Sequence, residues 1–359
     1  MPPFPQRTSA MPATSRRQFL ALAAVGVAAA ACGRATASSG SGSETKKLRY
    51  QGWAGQVTLP ELAEDLGYFG DVKLEWVGNT ISGPQDIQSA ATGQIDFGGA
   101  FNGAVVKLIA AGAPVKAVIS YYGVDEAAYN GFYVLQDSPI RSARDLIGKK
   151  VGMNTLGAHS EAILDIYLQR NGLSPAEIAK VEPIVVPPVN TDQSVRQKQI
   201  EVGVLGGVLR DKALAAGGIR PLFSDYDLLG RFSAGTYVVT DRFLKQNPNT
   251  ARTFVTGVAK AIEWTRTTPR EEVVARSVEI VKKRGRNEDT AALKYWKSAG
   301  VAETGGRITD EEFKIWIDWL VAHGDIKAGQ VKPGDLYTNE FNGYPATAAT
   351  AVSPSPSRS

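Results

Sequence analysis

A chain of 359 residues can bury a large core and usually divides into two domains. With a single cysteine, Cys32, and two histidines, His159 and His323, it offers no internal disulfide, no cysteine-built metal site and poor material for a zinc centre of several imidazoles. Arg7, Arg16 and Arg17 supply three of its net +4 charges, so the remainder is near neutral and lacks the basic footprint of a nucleic-acid binder.

Ser15-Arg16-Arg17-Gln18-Phe19-Leu20 has the form of a twin-arginine export signal, followed by an apolar run from Phe19 to Ala31. At about 1.5 Å per residue that run is too short to cross a hydrocarbon core of roughly 30 Å, so residues 1–31 are expected to be a removable signal peptide. Ala29-Ala30-Ala31-Cys32-Gly33 then matches a lipoprotein processing site with Cys32 as the lipidated residue. Ordinary cleavage near Ala31 is the alternative. Residues 32–46, rich in Ser, Gly, Ala and Thr, are expected to be a flexible tether that holds an exported domain at the outer face of the membrane.

From Lys47 onward short strand patterns alternate with capped helices. Leu48–Gly52 predicts a strand, and Thr58-Leu59-Pro60-Glu61 is a capping box opening a helix to Leu66. Lys73–Val77 is a strand, and Ser82-Gly83-Pro84-Gln85 starts a helix. A strand over Ile95–Gly98, a helix to Ala111 and an apolar strand over Val115–Ser120 complete the first part of lobe one, residues 47–122. Lobe two, 123–235, reads as strands over Gly131–Gln136, Lys150–Asn154, Ile184–Val186 (buried), Glu201–Leu205 and Ile219–Phe223. Helices stand between them, at Ser142–Ile147, Glu161–Gln169, after the box Ser174-Pro175-Ala176-Glu177, at Asp192–Gln199 and before Gly217-Gly218. Residues 236–344 begin with a strand over Thr236–Thr240. They continue as helices over Asn249–Thr267, Arg270–Arg284, Asp289–Ala299 and Thr309–His323, a segment expected to return to lobe one. The Pro/Ser/Ala/Thr-rich tail, 345–359, has almost nothing to bury. The alternation defines an α/β protein of two lobes, each a mostly parallel sheet flanked by helices.

Three stretches resemble the substrate-binding proteins for nitrate, alkanesulfonates, taurine and thiamine-precursor pyrimidines. They are Gly93-Gln94-Ile95-Asp96-Phe97-Gly98 through Leu108–Val118, Asp145-Leu146-Ile147-Gly148-Lys149-Lys150-Val151-Gly152 with Asn171-Gly172-Leu173, and Asp335–Phe341. The resemblance covers 47–344. It departs at Gln199-Ile200-Glu201-Val202-Gly203-Val204, where that family often carries Gly-x-Asp-Ala. It implies a type II periplasmic-binding fold, a monomeric receptor without cofactor, metal or catalysis, and partners in an ABC permease and its ATPase. Desulfinases and pyrimidine-forming enzymes also resemble this family, but their cysteine- or histidine-dependent chemistry suits a cytoplasmic protein. A sensor without transport is a third reading.

Ligands of open α/β sheets lie outside the strand carboxyl ends, where helix N-termini present unpaired N–H groups that hold anions. That rule selects Trp53 and Gln56, Ser82 and Gly83, Phe101 and Asn102, Tyr121 beside Tyr122, and Asn154, Thr155 and His159. Asn190, Gly207 and Asp225 are added from strand ends of lobe two. His159 is expected to contact ligand rather than act as a base. A sulfonate-, taurine- or nitrate-like anion is the expected cargo; a neutral pyrimidine stacked on Trp53 or Phe101 is the alternative, because the loops hold no arginine.

Overall fold

The structure, a computed structural model, describes residues 43–346. The signal pattern, Cys32, most of the tether and the tail beyond 346 lie outside the described residues.

β1 (Lys47–Gly52) pairs in parallel with β2 (Lys73–Asn79). Between them α1 (Leu59–Asp65) opens on the expected capping box: Glu61 N–H donates to Thr58 Oγ1, and Thr58 N–H donates to the Glu61 carboxylate. Such a cap contributes about 1 kcal/mol. α2 (Gly83–Ala91), β3 (Gly98–Phe101), α3 (Asn102–Ala110) and β4 (Val115–Val124) follow.

The strand expected over Ile95–Gly98 begins only at Gly98. Ile95 and Phe97 are buried in a loop that Asp96 ties to β1, its carboxylate accepting from the Arg49 backbone and guanidinium. The strand starts on glycine because β3 presses against α2: a Cβ on Gly98 would stand 2.5 Å from the Asp86 carbonyl oxygen.

The second lobe contains β5 (Asn130–Leu135), β6 (Lys150–Met153), β7 (Glu182–Val185), β8 (Val202–Gly206) and β9 (Ile219–Ser224), in the order β7-β6-β8-β5-β9. β6 is parallel to β7 and β8, while β5 is antiparallel to β8 and β9. The strand expected to be buried over Ile184–Val186 is an edge strand instead, and Val185 is 54% exposed. The helices are α4 (His159–Arg170), α5 (Pro175–Ile178), α6 (Pro188–Arg196), α7 (Gly207–Ala215) and α8 (Asp225–Leu229). Two start earlier than expected: α4 already includes His159 and Ser160, and α6 begins at Pro188, whose fixed φ suits a first turn.

β10 (Phe232–Thr240) pairs antiparallel with both β3 and β4. β4 leads into the second lobe and β10 leads out, so this long pair joins the two halves. After α9 (Asp241–Gln246), α10 (Pro248–Thr267) packs on α1, with Phe254 against Phe97 at 4.4 Å between ring centroids. α11 (Arg270–Lys283) follows. The helix expected over Asp289–Ala299 is absent: the segment is irregular, with one short 3-10 turn, Leu293–Tyr295. Asp289 Oδ1 accepts from Ala291 N–H, a local bond that competes with helix formation. α12 (Glu311–Ala322) lays Trp316, fully buried, edge-on against Phe101 at 4.5 Å. Burying such a side chain contributes roughly 2–3 kcal/mol. α13 (Pro333–Leu336) leads to Tyr337, which bridges to Ala117 of β4.

Candidate functional site

A cavity of about 400 Å³ opens between the β3-β10-β4 sheet and the five-stranded sheet of the second lobe, a size suited to a small organic molecule. The first half contributes Trp53 and Gln56 from the loop after β1, Gly83 and Pro84 at the start of α2, and Phe101 at the end of β3. Tyr121 and Tyr122 come from β4 and Tyr237 from β10. The second half contributes Tyr129 and Asn130 at the start of β5, Asn154 and Thr155 after β6, Ala158 to Ser160 at the start of α4, Thr191 on α6, and Gly206 to Leu209 at the start of α7. Helix N-termini therefore converge on the cavity, as the strand-end rule requires. Among the described residues no Asp, Glu, Lys or Arg lines it.

Its floor is aromatic. His159 stacks on Phe101 at 5.2 Å and 10° between planes, and lies 6.2 Å from Tyr122. Tyr121 stacks on Tyr237 at 4.1 Å. Burial raises the pKa of Tyr121, Tyr122 and Tyr237, so all three are neutral phenols. Burial likewise pushes His159 down to about 4, which leaves a neutral imidazole at pH 7. Beside it Asp225 is pushed up to about 7 by burial, against the hydrogen bonds it accepts from Asn130. His159 Nε2 stands 3.3 Å from Asp225 Oδ2. Desolvation disfavours both charges, so the contact is that of a neutral pair rather than a salt bridge. Nε2 has no aligned donor or acceptor among the described residues, and a protonated Asp225 would supply one.

Of the residues predicted from sequence, Trp53, Gln56, Gly83, Phe101, Tyr121, Asn154, Thr155, His159 and Gly207 line this cavity. Four do not. Ser82 does not cap α2 with its side chain; its hydroxyl spans the cleft mouth to Thr155 Oγ1 at 3.2 Å, beside a second bridge from Asn154 Nδ2 to the Ile81 carbonyl at 3.2 Å. Asn102 is fully buried behind Phe101 and donates to the Glu312 carbonyl at 3.3 Å, tying α3 to α12. Asp225 is fully buried beneath Asn130. Asn190 is exposed on α6, since the helix begins four residues before the expected Asp192 and turns Thr191 inward instead. Sequence reasoning missed Tyr129, Asn130, Leu293 and Trp296. The first two stand at the start of a strand that runs the opposite way to its neighbours, so a rule about strand carboxyl ends passes over them. The other two lie in the segment expected to be helical.

Two lobes, their joining strands and a cavity between them define a solute-binding fold of the type II periplasmic kind. Solved structures agree: the periplasmic aliphatic sulphonate binding protein SsuA of Escherichia coli superposes with a TM-score of 0.63 at 18% identity, covering 86% of this chain and 97% of its own. The periplasmic nitrate-binding protein NrtA of Synechocystis PCC 6803 gives 0.64 at 14%, covering 83% and 87%. Residues 57–272 match the family described as NMT1/THI5 like, and the chain belongs to it. The curated relative 4-amino-5-hydroxymethyl-2-methylpyrimidine phosphate synthase THI5 of Saccharomyces cerevisiae is 24% identical over 303 residues, 79% of this chain and 83% of its own. Among the described residues no helix is long and apolar enough to cross a membrane.

Proposed function

We propose that this protein is an exported receptor, tethered through Cys32, that captures a small, flat, uncharged heterocycle of the pyrimidine class and delivers it to an ATP-driven importer. The observation that carries this reading is the cavity wall: aromatic rings, amides and hydroxyls, with a neutral imidazole and, among the described residues, no charged side chain. Flat π-systems stack on such rings for roughly 1 kcal/mol per pair. Gln56, Asn130, Asn154 and Thr191 line the wall, and in this reading their amides and hydroxyl bond the ring nitrogens and an amino group. The name of the yeast relative, a pyrimidine phosphate synthase, favours the same ligand class.

Binding without chemistry is the role proposed for His159. Its imidazole is neutral, no carboxylate among the described residues shares the cavity wall with it, and burial raises Asp225 beneath it to about 7, so that it is only partly ionised near neutral pH. Because a ligand in the cleft touches both lobes, it favours the closed form by its differential affinity, which is the signal an importer needs.

The anion reading, a sulfonate or nitrate held by helix N-termini alone, is favoured by the convergence of α2, α4 and α7 on the cavity. A thermal-shift comparison separates the two. Added to the full chain at about 100 times its dissociation constant, 4-amino-5-hydroxymethyl-2-methylpyrimidine should stabilise it by roughly 2.7 kcal/mol, while taurine, methanesulfonate and nitrate should not. A shift with the anions and none with the pyrimidine would reverse the assignment.

A further inference from the structure

The geometry points to the segment 284–300 as a closing strap that sets ligand size: Leu293 and Trp296 on it form one cavity wall, and Lys297 with Ser298 fastens it to the opposite lobe. This rests on the cavity being the ligand site and adds the element that shuts it.

The strap is anchored at several points along its length. At its start Arg284 is nearly buried. It pairs with Glu61 of α1 at 2.9 Å and Glu288 at 2.6 Å, and donates to the Gln56 carbonyl at 2.9 Å. Glu288 in turn accepts from Gly55 N–H at 2.8 Å, so the first-lobe loop carrying Trp53 and the strap are one clamped unit. Near its far end the strap reaches α7 of the second lobe and the connection between the lobes. Lys297 Nζ meets Asp211 of α7 at 3.1 Å, and the Ser298 hydroxyl donates to Asp125, on the connection from β4 to β5, at 2.7 Å. At its end Gly123 N–H donates to the Ala299 carbonyl at 3.1 Å, and Gly300 packs directly on Gly123.

The tie to α7 reaches the cavity wall. Asp211 also holds Arg210, which is 1% exposed, donates to the carbonyls of Ala127 and Tyr129, and lies 3.8 Å over the Tyr129 ring. Docking the strap therefore completes one wall with Leu293 and Trp296 and braces the other through Tyr129. The Lys297–Asp211 pair ties a strap that is clamped to the first lobe onto α7 of the second, so it forms with the cleft shut, and its release opens the route in and out. Lys297 is about half exposed, so its pair is a weak latch suited to reversible opening.

The test uses the full chain and three variants. Lys297→Ala should speed amide hydrogen exchange across 286–299, and release of 4-amino-5-hydroxymethyl-2-methylpyrimidine followed by tryptophan fluorescence, each by about two- to fivefold. Adding Ser298→Ala to it should raise both further. Trp296→Ala should shift the affinity ratio of 4-aminoquinazoline, a two-ring analogue, to the pyrimidine by about tenfold toward the larger ligand. Unchanged exchange in 286–299 in both latch variants would overturn the strap, whatever the protein binds. An unchanged affinity ratio in the Trp296 variant would overturn its part in setting ligand size. If exchange rises as expected but the wild-type chain binds neither probe, the latch stands and the pyrimidine assignment falls.

Discussion

Asp225 illustrates what burial does to an ionisable group at the edge of this site. Its folded pKa of about 7 lies above the model-compound value of 3.8, so between those two pH values the folded state keeps a proton that the unfolded chain has lost. Its contribution to stability is therefore present at low pH and is lost as pH rises through about 7. Asp86 and Glu312, also raised to about 7 by burial, act in the same direction. His159, lowered from 6.5 to about 4 by burial, acts in the opposite one, since there the unfolded chain binds the extra proton. With Asp165, raised by burial to about 6, four carboxyls outweigh one imidazole, and the melting temperature should fall as pH is raised from about 5 to 8. Asp225→Asn, which mimics the protonated form, should make that fall shallower; a pH series of thermal melts that is equally steep in the variant would refute the assignment. Phe101→Ala removes the ring on which His159 stacks and should weaken pyrimidine binding about tenfold in a fluorescence titration. At this scale the sequence marked residues at first-lobe strand ends, because Trp53 and Phe101 stand where strands end; Tyr121 was expected just past a strand ending at Ser120, but β4 runs on through it to Val124. It could not tell cavity-facing Phe101 from its buried neighbour Asn102, since which side of a strand–helix junction faces the cleft depends on α12 packing from behind.

Among the elements, capped helices were the most legible, because a Thr or Ser box with proline in the first turn is local chemistry. α1 and α5 begin where their boxes predict. Elements fixed by distant partners were not. β10 reaches back to Phe232 because it ladders with β4 as far as Val124, a pairing between residues more than a hundred positions apart. The strap replaces a predicted helix because Leu293, Trp296 and Lys297 gain contacts with the cavity and α7 that a helix would forgo. Its terminal glycine is a further consequence of close packing: Gly300 has φ of 67°, and a Cβ there would stand 2.3 Å from the Gly123 carbonyl oxygen. Gly300→Ala should destabilise the fold by about 1–3 kcal/mol in chemical denaturation. An unaltered midpoint would show that the strap end is not packed as described.

For the whole molecule, the two-lobed α/β architecture follows from the alternation of strands and helices, and membership of the NMT1/THI5-like family agrees with it. The cargo was harder to read. Helix N-termini are visible in sequence and suggested an anion, whereas the absence of any charged side chain from the cavity wall emerges only when distant loops are brought together. A ligand recognised by stacking and neutral hydrogen bonds should bind with little dependence on ionic strength, while an anion held by helix dipoles is screened by salt. The deciding measurement is therefore a tryptophan-fluorescence titration of the full chain with 4-amino-5-hydroxymethyl-2-methylpyrimidine and with methanesulfonate, at low and high salt. Trp53 and Trp296 line the cavity and should report occupancy. Saturable quenching by the pyrimidine, unchanged by salt, is the predicted result; saturation by methanesulfonate alone, weakening as salt is added, would contradict it.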